Sequence, residues 1–373
     1  MTMRSKIFAA GRILNGIYEV LGLIERSDKV LTYAAKEIET GRDRSLKVLH
    51  TNASAPDIAS LMRHQNEARC LARLSSHPNI IRIFDYKVAE SGEPYMVTEY
   101  LEKRKLSSLL SETRGISYHI AFPIFAQICD AMKYAHEHSV IKRELSPDCV
   151  FLVRNDKGED VVKISNFGSA LQLDFDHSPL PLALDLSAHS PCFISPELLM
   201  EELSKQYLYS TEEERIPAEI AQEYSYMLQA PELLHAEIFK YAALFPKSIE
   251  KKSQQHKDTS ISHLSDIFSL GSLMYSTLIG TAPFTLAEIK RVVEENTFMS
   301  PPRFELLRPD LQLPADLQRV IRKALERDPN DRYEDMGKFR NSLLFTPGHQ
   351  SIADAQVLFN SIYTFLLGEG GNS

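Results

Sequence analysis

The residue pattern changes near position 105, and this change limits the folds that the chain can adopt. Before it, β-rich runs alternate with turns: Tyr18–Leu21, Val30–Ala35, Ser45–Leu49, Ile80–Phe84 and Tyr95–Tyr100. One segment among them, residues 57–74, carries apolar side chains near the 3.6-residue period of a helix. After the change, helical periodicity dominates, in residues 120–136, 266–278 and 317–325. The pattern predicts an α+β protein whose first lobe is β-rich with one helix and whose second lobe is mainly helical.

Composition restricts the class of protein. The 373 residues include 42 Lys and Arg against 50 Asp and Glu, a net charge of −8, so the chain lacks the basic surface that nucleic acid requires. No run approaches the roughly 18 apolar residues of a membrane span. The four cysteines are scattered and form no C-x-x-C pair, so neither zinc nor a disulfide framework is expected. These features predict a cytoplasmic protein.

Several short motifs follow one another in a fixed order: Ser45-Leu-Lys47, Glu67, His77–Ile80, Val140–Cys149, Val162–Gly168, Ser265–Gly271 and Asp328–Tyr333. In this order they resemble the Ser/Thr protein kinase family, in particular its bacterial members. The resemblance implies the bilobal kinase-like fold, which agrees with the β-rich and helical halves of the chain. A single motif of this length is weak, but seven in register are specific.

The resemblance divides the chain into four parts. Residues 1–17 form an N-terminal extension, residues 18–101 the first lobe and residues 102–344 the second lobe. A helical insertion at about 198–262 interrupts the second lobe, and residues 345–373 form a C-terminal helix with a flexible tail. The insertion and this helix are the surfaces predicted to meet a protein partner, although the insertion could equally be an elaboration of the lobe. The apolar face of the C-terminal helix could instead pack back on the second lobe, which is the usual outcome for a terminal helix.

Position by position, the resemblance also implies a site. Lys47 and Glu67 correspond to the ion pair between strand and helix, which either clamps phosphate or only fixes the helix. Glu144 stands at the position of the catalytic base, where the family has Asp. Nucleotide contacts are implied for Lys47, Glu99, Leu101 and Phe151, with the Phe151 ring either stacking under the base or filling its space. The implied nucleotide site is weak or absent.

The phosphate-binding loop departs from the family pattern. Glu25, Ser27 and Val30 stand where the family has three glycines. Glycine lets backbone N–H groups approach phosphate closely, and side chains at these positions prevent that approach. The carboxylate of Glu25 adds a negative charge beside the expected polyanion.

The metal ligands depart as well. Asn166 stands at the position of the metal-binding Asp, and Cys149 at that of the metal-binding Asn. Because Mg²⁺ prefers hard oxygen ligands, a neutral amide and a soft thiol are poor substitutes. Asp148 is expected to point away from the cleft. No metal and no obligatory cofactor are therefore expected, Mg²⁺ least of all, while ATP stays an open ligand.

The segment that resembles the catalytic loop, Val140–Cys149, is altered at two further polar positions. Lys142 replaces a His and Ser146 replaces a phosphate-contacting Lys. A buried lysine is costly unless it is paired, so Lys142 is expected to meet a carboxylate or to extend to solvent. Glu144 reaches about one methylene further than Asp, and proton transfer is sensitive to such a displacement.

Five further residues are implied to hold the architecture. Phe167 belongs to the apolar core and Asp266 to an anchor for the catalytic-loop backbone. Arg143 matches a position that in many relatives contacts a phosphorylated loop. Arg332 is expected to pair with the Glu that ends the activation segment. Both Glu197 and Glu232 fit that role, and the usual spacing from Asn166 favours Glu197.

These departures predict a pseudokinase, a regulatory or scaffolding interaction module with no or negligible phosphotransfer. Two alternatives stay open. The first is a divergent Ser/Thr protein kinase that transfers the γ-phosphate of ATP to protein, with Lys47 on phosphate and Glu144 as base. The second is a nucleotide sensor that binds ATP without metal through Lys47 and Glu67.

Overall fold

The first lobe is built on an antiparallel sheet. The computed structural model describes residues 8–344 except for residues 28, 51–57, 102–103, 155–159, 175–189, 209–261, 286, 290, 292–299 and 312. The strands are β1 Ile13–Leu14, β2 Tyr18–Arg26, β3 Val30–Glu37, β4 Asp43–Leu49, β5 Ile83–Val88 and β6 Pro94–Glu99. They lie in the spatial order β1-β2-β3-β4-β6-β5.

Alternation along β4 gives this sheet two different faces. Leu46 and Val48 join the buried cluster on the outer face, together with Tyr33 and Val97. Because successive side chains point to opposite faces, Ser45 and Lys47 lie on the inner face, where both line a cavity. The sheet therefore presents these two polar side chains to the space between the lobes.

One helix, α1 Ile58–Leu74, packs against the sheet. Its apolar residues Ala68, Leu71 and Leu74 are fully buried and belong to the main core of the molecule. That core continues into the second lobe, so α1 is fixed by packing on both sides.

The second lobe consists mainly of helices. They are α2 Leu106–Glu112, α3 Tyr118–Glu137, α4 Pro196–Leu208, α5 His263–Ile279, α6 Phe304–Leu307, α7 Ala315–Ala324 and α8 Met336–Leu344. Short strands join them: β7 Arg104–Lys105, β8 Val140–Ile141, β9 Val150–Arg154, β10 Asp160–Ile164 and β11 Leu171–Gln172. Strand β9 pairs with β7 and β10, and β8 pairs with β11.

Helix α5 forms the centre of this lobe. Every residue from Ser265 to Ile279 is buried, which explains why this stretch is so apolar. Ser262 caps its start by accepting a hydrogen bond from Leu264 N at 3.2 Å. Gly280 ends it with a φ of 89°, and a Cβ there would lie 2.7 Å from the carbonyl carbon of Arg114. The close approach of these two chain segments explains the glycine.

Two strands differ from the sequence prediction. The run expected at Ile80–Phe84 is strand only from Ile83, because Ile80 and Ile81 first pair with Ile164 of the second lobe. Strand β1 lies within residues 1–17, the predicted extension, and continues the first-lobe sheet.

Much of the predicted insertion and the whole C-terminal segment fall outside the described residues. Of residues 198–262, the structure describes the part through Leu208, at the end of α4, and Ser262. Residues 345–373 are likewise outside. Among the residues that are described, no helix has the length and apolar character needed to cross a membrane.

Candidate functional site

The ion pair implied by the motifs is present within the first lobe, between a strand and the helix. Lys47 Nζ on β4 donates to Glu67 Oε2 on α1 at 2.5 Å. Burial disfavours the charged form of Glu67, but the charge of Lys47 and its hydrogen bond outweigh burial and hold the pKa of that carboxyl below its ordinary value. The pair fixes α1 against the sheet.

The catalytic loop is anchored from below by α5. Asp266 accepts hydrogen bonds from Lys142 N at 2.8 Å and Arg143 N at 2.7 Å. Its Oδ2 atom also lies 2.8 Å from His136 Nε2 of α3. Arg143 adopts a φ of 66°, a strained conformation for a residue with a side chain, and the anchor holds it there.

Arg143 turns away from the cavity into the second lobe. Its Nε atom donates to the carbonyl of Ser169, and its Nη1 atom lies 3.7 Å from Glu202 Oε1 of α4. Both charged side chains are fully buried. Burial lowers the pKa of Arg143, and the charge of Glu202 opposes this effect. The position that contacts phosphate in many relatives therefore has a resident carboxylate beside it here.

Lys142 forms a contact that differs from the predicted one. Instead of a carboxylate, its Nζ atom donates to the backbone carbonyl of Asn166 at 2.6 Å. Its ammonium also lies 4.7 Å from the centre of the Phe167 ring, close enough for a cation–π interaction. Asn166 has a φ of 61°, so Lys142 stabilises an otherwise unfavourable backbone conformation at this position.

The residues at the metal positions do not fit Mg²⁺. Cys149 is buried, its Sγ atom donates to Ser146 O at 3.0 Å, and burial raises the pKa of its thiol. A protonated thiol directed at a carbonyl is no ligand for a hard cation. Asn166 offers only a neutral amide. In the described part of the chain, no three His, Cys, Asp or Glu side chains are grouped as a metal site would need.

The sequence predicts that Asp148 points away from the cleft, and this prediction is wrong. It lines the cavity, and its Oδ1 atom accepts a hydrogen bond from Ser107 Oγ of α2 at 2.6 Å. The short 3-10 helix Pro147–Cys149 turns consecutive side chains in different directions, so Cys149 is buried while Asp148 is exposed.

The cavity itself lies between the inner face of the sheet and β9. It has a volume of about 270 Å³, and Glu25, Ser27 and Val30 form part of its lining. Glu25 Oε1 forms an ion pair with Lys105 Nζ of β7, so side chains bridge the two sides of the entrance where the family has glycines.

The four residues predicted to contact nucleotide take different positions. Lys47 and Phe151 line the cavity, whereas Glu99 and Leu101 are not among its lining side chains. Glu99 Oε1 accepts hydrogen bonds from Arg82 N and Lys163 Nζ instead. Leu101 packs into the main core. The ring of Phe151 forms one wall of the cavity, and Lys105 Nζ lies 5.9 Å from the centre of this ring.

One set of contacts near the site was not predicted. Asn66, next to Glu67 on α1, donates through Nδ2 to Gly168 O at 2.9 Å and Ala170 O at 2.8 Å. Two turns further along the helix, Arg73 forms two hydrogen bonds with Asp174. Asn66 and Arg73 are seven residues apart, so they lie on the same face of the helix. This spacing is the feature of the sequence that indicates a shared polar face.

The remaining structural residues lie in the second lobe. Arg332 forms hydrogen bonds of 2.8 and 2.9 Å with the two carboxylate oxygens of Glu197, and Glu197 also accepts one from Ser265 Oγ. Phe167 is fully buried in the main core. Glu144 is half-buried in the catalytic loop. Glu232, the alternative partner for Arg332, lies outside the described residues.

Comparison with known proteins agrees with this geometry. Residues 23–214 match the family model described as Protein kinase domain. Serine/threonine-protein kinase Pkn1 of Myxococcus xanthus is 25% identical over 329 residues, which cover 88% of this chain and 38% of Pkn1. Serine/threonine-protein kinase PknB of Mycolicibacterium smegmatis is 24% identical over 357 residues, which cover 94% of this chain and 45% of PknB. The chain thus spans less than half of each of these two relatives.

A solved structure has the same fold. The kinase domain of Mycobacterium tuberculosis PknI superimposes with a TM-score of 0.54 at 18% sequence identity, over 90% of this chain and 98% of that domain. The predicted α+β bilobal fold is therefore confirmed. At this level of identity the likeness concerns the fold alone.

Proposed function

This chain belongs to the protein kinase domain family, and on that premise we propose that it is a pseudokinase, a regulatory or scaffolding module without significant phosphotransfer. The proposal concerns what the individual site residues can do, because a fold by itself does not determine activity. Phosphoryl transfer depends on positioned metal ions and on charge stabilisation, so the residues at those positions decide the question.

The observation that carries the proposal is the pair of residues at the metal positions. Cys149 is a buried, protonated thiol bonded to a backbone carbonyl, and Asn166 has a neutral amide. Neither supplies the anionic oxygen that would hold Mg²⁺ against the phosphates.

The part of the cavity lining that stands at the family's glycine positions supports the same proposal. Glu25 places a carboxylate at the entrance and pairs with Lys105 across it. Phosphate binding by a loop requires backbone N–H groups that face the ligand without intervening side chains. In this part of the cavity a ligand would instead meet the side chains of Glu25, Ser27 and Val30.

A second candidate, a divergent Ser/Thr protein kinase, has specific support. The two curated relatives described above are named serine/threonine-protein kinases. The ion pair between Lys47 and Glu67 is formed, and Glu144 retains a carboxylate at the position of the base. The names of the relatives favour this candidate, whereas the residues at the metal positions favour the pseudokinase.

A phosphotransfer assay separates the two candidates. The full chain is incubated with γ-labelled ATP and either Mg²⁺ or Mn²⁺, with a general protein substrate and without one. We expect no more incorporation than in the Lys47→Met variant, which lacks the ion pair. Incorporation that is lost in Lys47→Met would establish the kinase and reject the pseudokinase.

A further inference from the structure

A β-bulge turns the side chain of Glu25 toward the cavity. Leu23 lies opposite Tyr33, which belongs to the buried cluster on the outer face of the sheet. Strict alternation would place Glu25, two residues later, on that outer face as well. The register instead shifts between Leu23 and Glu25, so that Glu25 lies opposite Thr32, and both Glu25 and Thr32 line the cavity. The extra residue, Ile24, therefore redirects the carboxylate into the cleft.

The partner of Glu25 is held by the second lobe. Lys105 lies on β7, directly opposite Phe151 of β9, and helix α2 begins at the next residue. Strand pairing on one side and the helix on the other fix the backbone of Lys105. Its Nζ atom lies 5.9 Å from the centre of the Phe151 ring and forms an ion pair with Glu25 Oε1. The side chain of Lys105 thus extends across the Phe151 wall of the cavity to the first lobe.

This ion pair joins the two lobes at the entrance of the cavity. Glu25 belongs to the hairpin of β2 and β3, and Lys105 follows it 80 residues later in the chain. The hydrogen bonds of Asn66 and Arg73 to the second lobe start from α1, whereas this ion pair starts from the hairpin. The ion pair therefore restrains a different part of the first lobe.

The exposure of the pair allows it to open. The side chains of Lys105 and Glu25 keep 28% and 41% of their accessible surface. Ion pairs at such sites are weak, and dissolved salt screens them further. A weak contact breaks and re-forms readily, so this pair can control access to the cavity without fixing the two lobes permanently.

We propose that Glu25 and Lys105 form an ionic latch, which holds the hairpin of β2 and β3 over the entrance and slows the entry of molecules into the cavity. Loss of either charge, or screening by salt, opens this latch. The inference goes beyond the proposed function, because it concerns access to the cavity and not the reaction inside it. It holds for a pseudokinase and for a divergent kinase alike.

A thiol placed in the cavity lining tests the ionic latch. Ser165 lines the cavity from the second lobe, and the four natural cysteines are buried, so the Ser165→Cys chain offers one site for labelling by uncharged N-methylmaleimide. In this parent chain, Glu25→Gln and Lys105→Gln are each expected to raise the labelling rate about threefold at low ionic strength. The two substitutions change the local charge in opposite directions, so a direct electrostatic effect on the thiol would give opposite results. Added salt should raise the rate of the parent chain and leave that of both variants unchanged.

Two controls assign the effect to the pair. The double variant Glu25→Lys with Lys105→Glu again has opposite charges and should return the rate to that of the parent chain. Arg104→Gln removes the neighbouring ion pair with Glu112, which lies within the second lobe, and should leave the rate unchanged. Melting temperatures show whether each variant is folded. If a single variant does not fold, the salt dependence of the parent chain still decides the proposal.

Equal labelling rates in the parent chain and both single variants would overturn the inference. Opposite effects of the two variants, or a reversed pair that does not slow the reaction, would overturn it as well. The phosphotransfer assay is independent of these results. Transfer of labelled phosphate rejects the proposed function but not the ionic latch, and unchanged labelling rejects the ionic latch but not the proposed function.

Discussion

At the scale of single residues, Arg332 and Glu197 connect three parts of the second lobe. Arg332 bonds to both oxygens of Glu197 and to the backbone carbonyl of Leu264, at the start of α5. The Arg332 side chain is fully buried, and that of Glu197 is largely buried. A buried charge that loses its partner is strongly unfavourable, so the two residues depend on each other.

We therefore predict that Glu197→Gln lowers the free energy of unfolding by about 3 kcal/mol, because it leaves the guanidinium of Arg332 buried without a counter-charge. Chemical denaturation measures this change. The control is Glu334→Gln, which breaks an exposed ion pair with Lys338 and should leave stability unchanged. An equal effect of the two substitutions would contradict the prediction.

The same pair should affect stability in acid. Burial disfavours ionised Glu197, but the hydrogen bonds and charge of Arg332 outweigh it, so the pKa of Glu197 in the folded protein is below its ordinary value. Such a group stabilises the folded protein fully above its unfolded pKa, about 4.3, and loses that contribution as the pH falls through the folded value. Glu197→Gln should therefore flatten the loss of stability below about pH 4.3.

The two metal positions allow a test by restoration. In a double variant, Asn166→Asp with Cys149→Asn, a carboxylate and an amide oxygen replace the amide and the thiol. We expect ATP with Mg²⁺ to raise the melting temperature of this variant by several degrees more than ATP alone, because a hard-oxygen site is present. The unaltered chain serves as control and should show no effect of Mg²⁺. If Mg²⁺ does not raise the melting temperature of the variant beyond the value with ATP alone, features other than these two residues exclude the metal.

At the scale of elements, α1 controls the segment from Asn166 to Asp174. Asn66 bonds to the carbonyls of Gly168 and Ala170, and Gln172 Nε2 donates back to Asn66 Oδ1 at 2.9 Å. The helix therefore holds this segment through the side chain of Asn66, and through the hydrogen bonds of Arg73 to Asp174 at its end. These contacts keep the segment in one arrangement against α1.

We predict that Asn66→Ala loosens this segment while the fold persists. Each lost hydrogen bond is worth about 1 kcal/mol, so the amides of residues 166–174 should exchange with solvent at least about tenfold faster. Hydrogen exchange with mass spectrometry gives the measurement. Asn330→Ala, which removes an exposed asparagine of the second lobe, should leave these amides unchanged. Unaltered exchange in Asn66→Ala would show that Asn66 does not hold the segment.

The elements also show what the sequence could predict. Helices α1 and α3 follow from apolar periodicity near 3.6 residues, and α5 follows from a mostly apolar run that is buried on all sides. Strand β5 begins later than predicted, since Ile80 pairs with the other lobe before the chain enters the sheet. The contacts of Asn66 and Asp148 were missed because they depend on how elements meet in space. A polar residue on a helix or turn does not reveal its partner by spacing alone.

At the scale of the whole molecule, one apolar core passes from α1 into the helices of the second lobe. Glu197 bonds to Arg332, Arg143 lies beside Glu202, and Ser262 caps α5. The two-lobed body therefore has described contacts on both sides of the predicted insertion.

This arrangement leads to a prediction about partners. Replacing residues 209–261 by a Gly-Ser linker should preserve the fold, with a melting temperature within about 3 °C of the full chain, since α4 and α5 keep their contacts. If the insertion is the binding surface, the linker variant should fail to retain the proteins that the immobilised full chain binds from an extract of its own cells. A second variant that ends at residue 344 tests the C-terminal segment in the same way. Retention of the same proteins by both variants would contradict a partner surface in either segment, and the pseudokinase would then need another surface in the described lobes.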